Sequence, residues 1–296
     1  MVDAVPEVTT MSAQDSSATP GCPPETAWLA SLGRAVICGL ADFGDFWLFA
    51  GQTIRYSPLT LLRRRDIQRF LPQCYAIGTL SVPVILITGV FVGMVLAVQA
   101  IEQFMSVGLA ERMGVIVSLS VVRELGPVLA GVMLAGRVGG ALAAELGTMN
   151  VTEQLDALRS MGTDPIRVLV SPRFAACVLL TPVLTLYCDL MGVGGGWFIC
   201  VPLFDIPNSV YWDYTAAALE KWDVASGLLK SVFFGACIGL ISCYKGFNCK
   251  PGAEGVGKAC TESFVLGFVV ILILDFFLAF GLKGLYESLW GFKSVF

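Results

Sequence analysis

Residues 81–101 have the sequence SVPVILITGVFVGMVLAVQAI, which contains no charged side chain. An α-helix needs about 20 such residues to cross the roughly 30 Å hydrocarbon core of a bilayer. Four more apolar runs follow it, so the sequence predicts five spanning helices, at about 73–101, 114–144, 174–201, 226–244 and 260–282. The predicted fold class is an all-α membrane protein with an N-terminal interfacial helix and five transmembrane helices.

The composition agrees with this fold class and excludes several functions. Only 14% of the 296 residues are charged, which is too few to cover a water-facing surface. The absence of histidine removes the usual general base and the commonest metal ligand, so we expect no catalytic residue and no metal site. The net charge of −4 and the scattered basic residues argue against nucleic acid as a partner. Ten cysteines without a CxxC pair are interpreted as small apolar fillers.

The first 60 residues divide into two parts. Residues 1–24 are rich in Ser, Thr, Pro and Asp, and we expect a disordered tail. Residues 25–60 form a predicted interfacial amphipathic helix, because its polar residues fall in one arc, the remainder being aromatic and aliphatic. These polar residues are Arg34, Asp42, Asp45, Gln52 and Arg55. A sixth spanning helix is the alternative, but lipid would then have to bury three of these charges.

Basic residues predict the orientation. They cluster before the first span at 63–69, in the second connection at 145–173 and in the fourth connection at 245–259, whereas the first and third connections carry one each. Because Lys and Arg are retained on the cytoplasmic side, the N-terminus and the second and fourth connections are expected to be cytoplasmic. The C-terminus is then expected on the periplasmic side.

The second connection contains a short amphipathic segment. Asn150 followed by Glu153 has the form of a capping box, and Gly162 and Pro165 supply a stop. Four apolar residues are predicted to line one face of this helix: Val151, Leu155, Leu158 and Met161. Two interpretations stay open, a helix resting on the lipid surface and a docking helix for a cytoplasmic partner.

A glycine-rich stretch at 252–258 fits the pattern GxxxxGK of a phosphate-binding loop. Position 259 is alanine, so the hydroxyl that would ligate magnesium is missing, and no strand precedes the loop. We therefore expect a tight cytoplasmic turn rather than a nucleotide site.

The predicted second span carries several charges. It contains Arg123-Glu-Leu-Gly-Pro127 and, further along, Arg137 and Glu145, while Asp189 and Asp275 lie in later spans. Charges at membrane depth are costly and are often functional, although a structural ion pair is an equally open interpretation. Pro127 cannot donate to the carbonyl of Arg123, which predicts a local break in the helix. So few charges favour an apolar, lipid-like cargo over a proton or small ion.

Several linked motifs carry a resemblance to a known family. In order they are Gly89–Leu96 (GVFVGMVL), Arg123–Val128 (RELGPV), Leu134–Gly139 (LAGRVG), Ala144–Met149 (AELGTM), Val151–Ala157 (VTEQLDA) and Asp164–Arg167 (DPIR). From about residue 70 to 282 the chain resembles the MlaE (YrbE) family of ABC transporter permeases. The resemblance implies a permease domain at 70–284 whose coupling helix is 151–162.

The resemblance also implies a function and its partners. Members of this family move phospholipids or related lipids between the bacterial inner membrane and the cell envelope. They form a homodimer, bind two cytoplasmic ABC ATPases, an MCE-domain protein on the outer face and, in some systems, a STAS-domain protein. ATP and magnesium belong to the ATPase, so no cofactor is expected in this chain.

The implied sites are a lipid cavity and an ATPase-coupling surface. The cavity is expected to involve Glu124, its neighbour Arg123, and Leu96. The coupling residues are expected to be Val151, Glu153, Gln154, Leu155, Asp156, Leu158 and Arg159. An alternative function is a membrane scaffold or lipid-sensing interaction protein without transport. An intramembrane hydrolase is disfavoured because there is no histidine.

Overall fold

The computed structural model describes residues 24–62, 64–106, 108 and 112–290, so residues 1–23 of the predicted tail lie outside it. Every regular element in the described ranges is helical. The α-helices are α1 (Pro24–Leu62), α2 (Arg64–Cys74), α3 (Val82–Met105), α4 (Met113–Ser120), α5 (Gly126–Leu134), α6 (Gly140–Val151), α7 (Gln154–Ser160), α8 (Ser171–Phe204), α9 (Asn208–Ala218), α10 (Lys221–Phe247) and α11 (Ala253–Trp290).

The five predicted spans are confirmed. Within the described residues, five helical stretches are long and apolar enough to cross a membrane: Ile67–Met105, Met113–Val151, Ile166–Phe204, Lys221–Phe247 and Ala253–Ser288. Each is longer than its apolar run, because the helix continues into flanking polar residues. Short π-helical segments lie within the first two spans, at Tyr75–Thr79, Val121–Leu125 and Ala135–Gly139, and a fourth, Ile166–Val170, begins the third span. Such segments frequently mark functional sites.

The chain divides into two compact units, residues 1–48 and 49–296. In the first unit the predicted helix is present as the N-terminal part of α1. Its large apolar side chains are exposed, including Ile37, Leu40, Phe43 and Trp47. Exposed apolar residues of this kind suit a lipid interface, and the interfacial position of α1 stays a prediction.

Close helix approach at glycine holds the first and third spans together in the second unit. A Cβ atom added at Gly93 would overlap the carbonyl of Gly192, and one added at Gly89 would lie 2.7 Å from the carbonyl oxygen of Cys188. Without side chains at these points the two backbones come into contact, which is how small residues drive helix association in lipid.

This contact predicts a measurable loss of stability. Replacing Gly93 by alanine is expected to force α3 and α8 apart and to lower the free energy of unfolding by about 1–3 kcal/mol, the usual cost of overpacking. Gly281→Ala in α11 is the matched control, because nothing lies within 4 Å of an added Cβ there. Denaturant unfolding in detergent measures both variants, and an equal stability for the two would contradict the packing argument.

The glycine-rich turn before the fifth span is also present. Gly252 has φ +98°, a left-handed conformation that glycine adopts without strain. Gly255 lies in the first turn of α11, where an added Cβ would overlap the carbonyl of Lys250. Backbone conformation at Gly252 and close packing at Gly255 therefore explain these two glycines. The expectation of a tight turn is confirmed at Gly252.

Candidate functional site

A cavity of about 750 Å³ lies between the second, fourth and fifth spans. This volume is within the range of roughly 300–1,000 Å³ that is typical of small-molecule sites. One part of its wall is apolar: Leu119, Trp222, Phe276, Ala279, Phe280 and Leu282. The other part carries charge: Arg123, Glu124, Asp223, Lys230, Lys283 and Glu287. The cavity therefore offers an apolar surface and a charged surface to a single ligand.

The first ion pair of the cavity joins the second span to the start of the fourth. Arg123 donates from Nε to Asp223 Oδ1 at 2.7 Å, and its Nη2 lies 2.7 Å from the same oxygen. Asp223 also accepts from the backbone N–H of Glu220 at 3.0 Å, as half of the capping box that begins α10. Asp223 is almost fully buried and has two partners, Arg123 and the backbone N–H of Glu220. It therefore fixes the guanidinium of Arg123 at the cavity wall.

The second ion cluster centres on Lys230, whose side chain is only 2% exposed. Its Nζ lies 2.6 Å from Glu124 Oε2 in the second span and 3.1 Å from Asp275 Oδ1 in the fifth. A buried ammonium group needs such partners because its desolvation is expensive. Lys230 therefore joins three spans and holds Glu124 at the cavity, where half of the glutamate side chain stays exposed.

Pro127 does not break the helix, and this expectation from the sequence was wrong. The residues before it adopt a π-helical turn, in which the N–H of Gly126 bonds to the carbonyl of Val121. The carbonyl of Arg123 instead accepts from Lys230 Nζ at 3.3 Å. The lysine replaces the donor that proline lacks, so the span stays continuous and Arg123 and Glu124 both face the cavity.

Asp189 lies apart from the ion pairs. It is buried in α8 against Gly126, where an added Cβ would overlap its Oδ1 atom. Among the described residues no hydrogen-bond partner reaches that oxygen. Asp189 is not part of the cavity wall, so of the six charged positions noted in the sequence, only Arg123, Glu124 and Asp275 meet around this site.

Leu96 is not brought together with Glu124. It lies in α3, partly buried against a separate apolar cluster that includes Ala97, Val121 and Tyr211. It does not line the cavity described above, so its assignment to a lipid pathway stays a prediction.

Sequence reasoning missed two residues of the site, Lys230 and Asp223. Lys230 is the single charged residue of the apolar run 226–244, which was a usable signal. Asp223 precedes the apolar run of the fourth span, and nothing local in the sequence indicates that it turns inward.

The predicted coupling helix is present but shorter, and its predicted capping box was wrong. α7 covers Gln154–Ser160, and no side chain caps its start. Asn150 belongs to the last turn of α6 and donates to the carbonyl of Cys249 at 3.2 Å. Glu153 has φ 60° and forms the left-handed turn between the two helices. Val151 therefore ends the second span instead of beginning the coupling helix.

α7 presents a polar surface and is anchored on one side. Leu155 is buried, whereas Glu153 and Gln154 are exposed. Asp156 and Arg159 form an exposed ion pair at 2.9 Å, with side chains 69% and 55% exposed. The guanidinium of Arg159 also lies 5.4 Å from the ring centroid of Phe247 at the end of α10. Val151 and Leu158 are partly buried, and Met161 caps the C-terminus and is exposed.

Five spans, an ion-paired cavity between the second, fourth and fifth of them, and an exposed helix between the second and third define a multi-pass membrane protein. Residues 70–280 match the family model described as "Permease MlaE". The chain belongs to this family.

Proteins from several organisms are similar over most of this chain. A "Probable ABC transporter permease protein" of Rickettsia felis is 42% identical over 83% of this chain and 94% of its own length. A protein of Synechocystis with the same description is 43% identical over 79% and 88%. The "Intermembrane phospholipid transport system permease protein MlaE" of Haemophilus influenzae is 33% identical over 85% and 95%.

Proposed function

We propose that this chain is the permease subunit of an ABC transporter that moves phospholipids or related lipids between the inner membrane and the cell envelope. The observation that carries the proposal is the cavity between the second, fourth and fifth spans. Its apolar wall can contact acyl chains, and its charged wall can contact a headgroup. The names of related permeases, one of them a phospholipid transport permease, support the same substrate class.

The energy source in this proposal is a partner protein. Two cytoplasmic ABC ATPases bind ATP and magnesium and contact α7, whose exposed acidic and amide side chains offer a docking surface. The permease acts as a homodimer, with an MCE-domain protein on its outer face and, in some systems, a STAS-domain protein. This arrangement requires a cytoplasmic N-terminus and a periplasmic C-terminus, as the distribution of Lys and Arg predicts.

Reconstitution of the complex tests the proposal. Liposomes that contain the complex and a fluorescent phospholipid should transfer that lipid to acceptor protein or vesicles when ATP is added, and not with a non-hydrolysable analogue. Lipid transfer that does not respond to ATP would instead favour the alternative of a scaffold or lipid-sensing protein without transport.

Glu124→Lys should impair this transfer at least about 10-fold while the complex still assembles, because it places a second cation beside Lys230. Glu102→Lys is the matched control, since Glu102 is exposed at the end of α3 and lies away from the cavity. Equal transfer by the two variants would contradict a role for Glu124 in the lipid path.

A further inference from the structure

Arg137 is a charged residue of the second span that neither ion cluster of the cavity uses. It lies in the π-helical segment Ala135–Gly139, 13 residues beyond Glu124, which corresponds to about 20 Å along the helix axis. Its Nη1 donates a short hydrogen bond to the hydroxyl of Ser81 at the start of α3. Any ligand of Arg137 would therefore occupy a site separate from the cavity.

The guanidinium of Arg137 has no counter-charge among the described residues. No carboxylate there lies within 4.0 Å of it, whereas Arg123, Arg159 and Arg173 each have one. Ser81 is its single hydrogen-bond partner in the described chain, and that hydroxyl is itself held by donation to the carbonyl of Ile77 at 2.6 Å. None of the Arg137 nitrogens is buried without a partner, so the N–H groups of Arg137 that Ser81 does not accept reach the surface.

Small residues line the surface beside Arg137. Gly136, Gly140, Ala141 and Ala144 are exposed or partly exposed along the second span. Nothing lies within 4 Å of a Cβ added at Gly140, while the ring of Phe264 borders Gly136 at 3.4 Å. The absence of long side chains at these positions leaves room for an extended apolar chain beside the guanidinium.

The depth of Arg137 suits a lipid headgroup. The second span covers 39 residues, or about 58 Å of helix, which exceeds a core of roughly 30 Å by about 14 Å at each end if the helix is centred. Arg137 lies 14 residues, or about 21 Å, from the end at Val151. It is then about 7 Å inside the core, a distance that an arginine side chain spans when it reaches for the phosphate layer.

We propose that Arg137, oriented by Ser81, binds the phosphodiester group of a phospholipid whose acyl chain lies along the small residues between Gly136 and Ala144. An oxyanion accepts two parallel N–H bonds from one guanidinium, and a phospholipid supplies both that group and an apolar chain. The proposal does not depend on transport, because it concerns binding at a site about 20 Å from Glu124.

Native mass spectrometry of the delipidated full-length protein in detergent tests this site. Phosphatidylglycerol should bind, and diacylglycerol with the same acyl chains should bind at least about 10-fold more weakly, because it lacks the phosphate that guanidinium recognises. Comparable binding of diacylglycerol would overturn the proposal. Displacement of the lipid by an equal concentration of inorganic phosphate would also overturn it, because the site would then be one for a soluble anion.

Three variants assign the binding to this residue. Arg137→Met should weaken binding of one phosphatidylglycerol molecule at least about 10-fold and leave the lipid of the cavity bound. Arg137→Lys should weaken the same binding event about 5-fold, because lysine cannot form the bidentate contact. Arg112→Met is the control, since this arginine stacks on Tyr214 elsewhere in the chain.

If Arg137→Met does not fold, Arg137→Lys and Ser81→Ala decide the question, since each keeps the positive charge. Unchanged affinity in both overturns the proposal. A halved native mass in any Arg137 variant would also overturn it, because the missing counter-charge would then come from a second copy of the chain.

Discussion

Lys230→Met is expected to abolish lipid transfer and to lower the free energy of unfolding by about 3 kcal/mol, at the lower end of the values for breaking a buried ion pair. The substitution leaves Asp275 without its ion-pair partner and the carbonyl of Arg123 without its donor, and it frees Glu124. The lower value applies because half of the Glu124 side chain is exposed and water partly compensates it.

A combined variant separates the loss of stability, which comes from unpaired carboxylates, from the loss of lipid transfer. Adding Glu124→Gln and Asp275→Asn to Lys230→Met removes both unpaired carboxylates, so most of the stability should return. Lipid transfer should not return, because Lys230 and Glu124 then no longer present their charges to a headgroup at this wall. Unfolding by denaturant in detergent and ATP-driven transfer in liposomes give the two readouts.

Lys245→Met is the matched control for this prediction. Lys245 pairs with Glu262 at 2.8 Å, but the two side chains are 30% and 42% exposed. Partly exposed pairs of this kind contribute about 0–1 kcal/mol. A loss of stability as large for Lys245→Met as for Lys230→Met would show that burial of the lysine has no special role.

The sequence predicts features that depend on neighbouring residues, but it does not predict contacts between residues that are far apart in the chain. The five spans and α1 follow from the local apolar pattern, and they are confirmed. Glu124 was identified through its motif, but its partner Lys230 lies 106 residues away, and only packing of the spans joins them. The same limit explains why the predicted cap at Asn150 was wrong. The local pattern indicated a helix cap, but the side-chain amide donates to the carbonyl of Cys249, which is distant in the chain.

Replacing both Glu153 and Asp156 by lysine is expected to abolish co-purification of the permease with its ATPase. Both side chains are exposed on or beside α7, and Asp156 is bonded only to its neighbour Arg159. The double substitution changes the local charge by four units, so an ATPase surface matched to these carboxylates would be repelled. The fold should survive, because neither residue has a partner outside this turn among the described residues.

Two outcomes of this experiment distinguish the docking helix from a helix that only rests on lipid. Glu254→Lys at the start of α11 is the control, because it alters an exposed carboxylate of the fourth connection instead. If α7 binds the ATPase, its variant loses the partner and ATP-driven lipid transfer together, while the control keeps both. If α7 rests on lipid, two added lysines strengthen attraction to anionic headgroups, and the ATPase stays bound. Because Arg159 packs on Phe247 of α10, a bound ATPase that moves α7 would also move the span that carries Lys230.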